Sequence, residues 1–185
     1  MKPKVYMIGF VILVAIISSK TVGDTRLVKK LLPIQKDSAY AAEIKQYQRL
    51  NHDILENATY QIEGSIITLN NGTATFDVAG VVSFDRAVYG DLNSDEIEDA
   101  VVFLRVGHGG TGSWGYFVPV INDNGRPRVR KSLLIGDRTI VNTLNITNQR
   151  VIADLIIYSQ NDPLCCPSLD VRYTYRYSES ILEQI

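Results

Sequence analysis

Ala100-Val101-Val102-Phe103-Leu104-Arg105-Val106, then Gly107-His108-Gly109-Gly110-Thr111-Gly112-Ser113-Trp114, then Gly115-Tyr116-Phe117-Val118-Pro119-Val120-Ile121 is the stretch that decides the fold. Two apolar runs rich in Val and aromatic side chains flank a connection dense in glycine. Runs this short, bounded by turn residues, read as strands, and a link of this length joins consecutive strands into an antiparallel pair. The same grammar extends in both directions. Upstream lie short alternating pieces at 59–63 and 65–69, the hairpin turn Asn71-Gly72 leading into 73–78, a strand at 81–89 and a polar loop. Downstream, Asp123-Asn124-Gly125 precedes 128–135, Gly136-Asp137 precedes 138–144, Asn148-Gln149 precedes 151–158, and residues 161–167 lead into 170–177. Ten Tyr and many Val, Ile and Thr fit this reading. The expected fold is mainly β (α+β), an antiparallel meander closing toward a barrel or a two-layer sheet.

One amphipathic helix is expected to pack on that sheet. Tyr40, Ile44, Tyr47 and Leu50 recur at helical spacing over 37–50, and Asp37 or Ser38 is placed to cap the start. Before it, Lys2 and Lys4, the apolar run 5–17 and the small polar stretch to Gly23 have the layout of a secretory signal. The run is shorter than the roughly 17 to 25 residues of a membrane-crossing helix, which favours removal over permanent anchoring. Cleavage sites lie after Ser19 or after Gly23, and an uncleaved anchor is the alternative, the one case in which the chain would touch a membrane. No Cys follows the run to accept a lipid. The expected organisation is a signal peptide at 1–23, a tether or short helix at 24–36, and a single β-rich exported domain at 37–185, periplasmic or extracellular. Removing 1–23 takes three of the 19 basic side chains and no acid, leaving 16 against 20 acidic ones. That balance argues against nucleic acid as a partner.

Cys165 and Cys166 are adjacent. They can close a vicinal disulfide, remain two thiols, or bridge to a second molecule. A vicinal bridge would stiffen one turn rather than hold the fold, because the loop it closes has negligible entropy.

Three patterns bear on chemistry. Asp91, Asn93, Asp95, the carbonyl of Ile97 and Asp99 place oxygens at alternate positions, as a calcium loop requires. Glu96 stands where such loops favour Gly, and Val102 where an EF-hand has its bidentate Glu; the alternative is an acidic turn whose side chains cap their own backbone. The glycine run 107–112 has the spacing of a dinucleotide fingerprint, but a strand follows it where the chemistry needs a helix N-terminus. If the loop contacts a ligand, His108, Ser113 and Trp114 are the residues to look at. Ser113 lacks the Gly-x-Ser-x-Gly context, so no catalytic residue is assigned, and Asp137-Arg138 reads as a charge pair fixing a hairpin.

Asn57-Ala58-Thr59-Tyr60, Gly90-Asp91-Leu92-Asn93-Ser94-Asp95 and Gly136-Asp137-Arg138 together resemble a group of exported bacterial periplasmic or lipoprotein domains without assigned activity. Asp162-Pro163-Leu164-Cys165-Cys166-Pro167 is similar to the Cys-Cys turn of mycobacterial-type lipoproteins. The resemblance spans about Asn57 to the C-terminus and implies compartment and a β fold; it transfers no catalytic residue. The functional expectation is a non-enzymatic exported binding or envelope-accessory domain, its partner an envelope protein or a small ligand. The alternatives are a calcium-stabilised β module, and a hydrolase using the loop 107–115.

Overall fold

A short helix, α1 (His52–Glu56), and a hairpin of β1 (Thr59–Ile62) and β2 (Ser65–Thr68) open the computed structural model, which describes residues 48–76 and 79–185. A six-stranded antiparallel sheet follows, with β3 (Thr73–Phe76), β4 (Gly80–Gly90), β5 (Asp99–Gly107), β6 (Trp114–Asp123) and β7 (Arg126–Val129) side by side in chain order. The sixth strand, β8 (Leu133–Asp137), also pairs with β6. The chain then leaves for a second meander of β9 (Ile140–Thr147), β10 (Arg150–Ile157), β11 (Leu169–Ser178) and β12 (Ile181–Gln184).

The unbroken apolar character of β5 and β6 follows from their position. An antiparallel sheet with one wet face alternates apolar and polar residues; a strand covered on both faces does not. Ala100, Val102, Leu104, Val106, Val118 and Val120 pack beneath α1 and the hairpin, against Leu55, Tyr60, Ile62 and Ile67. Val101, Phe103, Phe117 and Ile121 face the other way, onto Val141, Leu144, Val151, Leu155 and Tyr175 of the second meander. There Phe103, Phe117 and Tyr175 stack edge to face, with ring centres 5.5 and 5.9 Å apart. Each such buried side chain contributes about 1.5–3 kcal/mol, so the two faces of one sheet carry most of the core.

Asparagines join the first cover to the sheet. Asn51 caps α1 by accepting from the Ile54 amide at 2.9 Å. Asn57 ends the helix, and its side-chain oxygen accepts from the Asn71 amide at 3.0 Å, tying α1 to the Asn71-Gly72 turn. The Tyr60 hydroxyl donates to the Leu55 carbonyl at 2.7 Å inside the core.

Several expectations are revised. Of the two forms expected for the meander, the described residues show stacked sheets and no closed barrel. Residues 48–50 form a turn, a bend and irregular chain rather than helix; the rest of the helix expected over 37–50, the tether and the signal lie outside the described residues. Among the described residues no helix is long and apolar enough to cross a membrane. The strand expected at 138–144 starts later, at Ile140, because Arg138 adopts a left-handed turn conformation, φ 47°. The last hairpin turns on Glu179-Ser180, φ 49° and 72°, without the glycine that would have announced it.

The strand expected at 128–135 is broken at 130–132, and Pro119 gives the reason. Its carbonyl accepts from the Arg130 amide at 2.9 Å, but proline has no N–H to return to that edge. Phe117 pairs with Leu133 and Val120 with Val129, so three residues of the outer strand oppose two of β6. That is a β-bulge, which leaves Arg130, Lys131 and Ser132 between the two paired segments, Arg130 keeping its one bond to Pro119. The Ser132 hydroxyl donates to the Gln61 carbonyl at 3.1 Å, holding the bulge against β1.

Candidate functional site

Three of the motifs singled out in the sequence meet at one end of the molecule, and Arg138 joins them. Its guanidinium pairs with the neighbouring Asp137 carboxylate and donates to the Thr111 carbonyl and hydroxyl, both at 3.1 Å, and to the Tyr158 hydroxyl at 3.0 Å. Its amide donates to the Ser113 carbonyl at 2.7 Å, while the Ser113 amide donates to Asp137 Oδ1 at 2.9 Å. The glycine-rich connection is therefore held by one charged dipeptide on both its backbone and its side-chain faces. Two glycines fit this arrangement. A Cβ on Gly112 would sit 3.3 Å from Asp137 Oδ1, and one on Gly115 would sit 2.8 Å from the Phe103 ring.

Tyr158 carries the network to the cysteine loop by donating to the Leu164 carbonyl. Asp162 closes that loop, accepting from the Ser159 amide at 2.7 Å, the Ser168 amide at 2.8 Å and the Ser168 hydroxyl at 2.6 Å. The Ser159 amide and the Ser168 hydroxyl, more than burial opposes, hold its carboxyl below the usual carboxylate range. Cys165 and Cys166 are bridged to each other, and the Cys166 amide donates to the Pro163 carbonyl at 3.0 Å. Leu164 beside them is 86% exposed, and Trp114 at the start of β6 is 38% exposed. This end of the molecule is thus a set of hydrogen-bonded loops on which Leu164 and Trp114 are exposed.

The acidic loop is closed on itself. Asp91 accepts from the amides of Asn93, Ser94 and Glu96, Asn93 from that of Asp95, and Asp95 from that of Ile97. Asp99 is turned inward and fully buried; one oxygen accepts from the Leu92 amide at 3.0 Å and the other from the Asn122 amide at 2.9 Å. Burial raises its carboxyl against the opposing pull of those two amides, with Asp95 and Asp91 adding to the rise. Of the five expected metal ligands, Asp91, Asn93, Asp95 and Ile97 share the exposed turn, and Asp99 is committed to joining β5 to β6 beneath it. Among the described residues no group of three or more His, Cys, Asp or Glu is arranged to hold a metal ion.

His108 and the Ser113 backbone have different partners. The His108 imidazole reaches toward the hairpin, with Nε2 3.3 Å from Glu63 Oε2, and the other oxygen of Glu63 accepts from the Tyr116 hydroxyl. Burial first, then this bond to a carboxylate, raises the Tyr116 phenol. Ser113 is engaged through its backbone by Asp137 and Arg138. The residues that sequence reasoning passed over are Tyr158, Glu63 and Tyr116, and the reach of Arg138 beyond its own hairpin. Their partners lie 6 to 53 positions away, where no local pattern announces them. No family model matches the chain, and neither a curated protein nor a solved structure matches it.

Proposed function

We propose that the chain is an exported, non-enzymatic binding or envelope-accessory domain whose contact surface is the loop end around Arg138. The observation that supports this is the network itself: one guanidinium ties the glycine loop to Tyr158, and through it the cysteine loop, leaving Leu164 and Trp114 exposed on a stiffened base. Preorganised loops carrying an apolar and an aromatic side chain suit recognition, since less ordering is lost on binding. A photo-crosslinker at Leu164, used in intact cells, tests it. The expected result is a discrete adduct in the envelope fraction that disappears with Arg138→Ala. Recovery of the chain only in cytosol, or absence of any adduct, overturns it.

A second reading, calcium on the acidic turn, is favoured by one observation. Glu96 holds φ 64°, the left-handed backbone that the sixth position of such loops ordinarily gives to Gly. Asp91, Asn93, Asp95 and the Ile97 carbonyl would be the ligands. Melting with calcium and with chelator decides it: a calcium-dependent rise in Tm that Asp91→Asn abolishes supports the metal, and coincident curves remove it.

A further inference from the structure

The bulge opposite Pro119 builds a second feature, one that shares no residue with the loop cluster. A groove of about 790 Å³ runs between the β1–β2 hairpin and the bulge, with Ile66, Leu134 and Tyr116 in its walls and Arg130, Lys131 and Glu63 among its polar groups. That size falls in the range of roughly 300–1,000 Å³ typical of small-molecule sites.

Its two kinds of wall are both unfinished. Ile66 is 79% exposed and Leu134 50%, so two branched aliphatic side chains stand in water across one groove. The cations are equally without counterparts. Arg86, Arg105, Arg128, Arg138, Arg172 and Arg176 each meet a carboxylate; Arg130 and Lys131, like Arg49, Arg126 and Arg150, meet none among the described residues, and these two stand side by side in the groove. Arg130 is half-buried, and its Nε has no hydrogen-bond partner within the protein. Glu63 does not fill the gap, because Tyr116 and His108 already engage its two oxygens. A guanidinium carried on a bulge, next to an ammonium and in one groove with an apolar wall, has the chemistry of a head-and-tail site.

We infer that this groove binds a single-chain anionic amphiphile, its head group on Arg130 and Lys131 and its alkyl chain along Ile66 and Leu134. Two cations are too few for a polyanion on a chain with this acidic balance, and the apolar wall is wasted on a bare inorganic anion.

Titration calorimetry of the full chain with octyl phosphate, kept below its micellar concentration, tests the inference. Saturable one-to-one binding is expected, weakened about tenfold by Arg130→Gln through loss of one charge-assisted hydrogen bond. Ile66→Ser, at an exposed position, weakens it by a similar factor of about ten as chain contacts are lost. Octyl glucoside, which keeps the chain without the charge, and inorganic phosphate, which keeps the charge without the chain, both bind at least about tenfold more weakly. Arg138→Ala leaves the affinity unchanged, so failure here is told apart from failure of the loop-end surface. Absence of octyl phosphate binding overturns the inference, as do equal binding of octyl glucoside or of inorganic phosphate, and indifference to both Arg130→Gln and Lys131→Gln.

Discussion

The acidic loop at 91–99 and the glycine loop at 107–113 flank the same strand and are both rich in turn residues, yet they are held in opposite ways. Every side-chain bond within the exposed part of the acidic loop spans five residues or fewer. The glycine loop takes its order from Arg138 and Asp137, 24 to 27 residues away. A loop that solves its own hydrogen bonds can fold wherever its ends are placed. A loop that borrows them reports on the assembly of the whole molecule.

The largest test of this contrast is at the one residue of the acidic loop that breaks its own rule. Asp99→Ala leaves two buried amides without an acceptor and should lower unfolding free energy in urea by about 2–4 kcal/mol. A loss below about 1 kcal/mol would mean that water replaces the carboxylate. Arg138→Ala should cost less, about 1–3 kcal/mol, and raise amide exchange at Ser113 and Ser168 while leaving Asn93 and Asp95 unchanged. Exchange that rises equally in both loops would erase the distinction. Asp91→Ala should cost about 0.5–1.5 kcal/mol, with faster exchange confined to residues 93–96.

Acidity sharpens the same contrast. Asp99 is raised and Asp162 lowered. Protonation of Asp99 is therefore easier in the folded state, and its contribution to stability declines as pH rises from its ordinary value through its raised one. Asp162 contributes above its ordinary value, and that contribution is lost as pH falls through its lowered one. Carboxyl titration by NMR should find the two midpoints on opposite sides of the ordinary value; a shared midpoint breaks the assignment. The smallest effect should come from reducing the Cys165–Cys166 bridge, which shifts stability by less than about 1 kcal/mol because it closes almost no chain. A larger shift would give the ring a supporting role in the fold.

How much of this was legible follows from the same difference in range. The strand succession could be read because turns such as Asn71-Gly72 and Asp123-Asn124-Gly125 are local events with local chemistry. Layering rather than barrel closure could not, since it depends on where the chain leaves β8 to begin β9. α1 is five residues long, too short to display a period, and the Glu179-Ser180 turn uses left-handed backbone without glycine. Asp137-Arg138 was recognisable as a pair fixing a turn, whereas its reach to Thr111 and Tyr158 was not. The placement of His108 against Glu63 likewise depends on the hairpin lying over the sheet. Pro119 was the exception: a strand proline is a visible signal for a bulge, and the break at 130–132 was there to be inferred.

That proline also has a consequence for behaviour in a crowded compartment. Because β6 is flanked on its outer side by two brief segments set out of step, a neighbouring molecule finds no long straight row of amides on which to zip, and runaway sheet stacking is blocked at that rim.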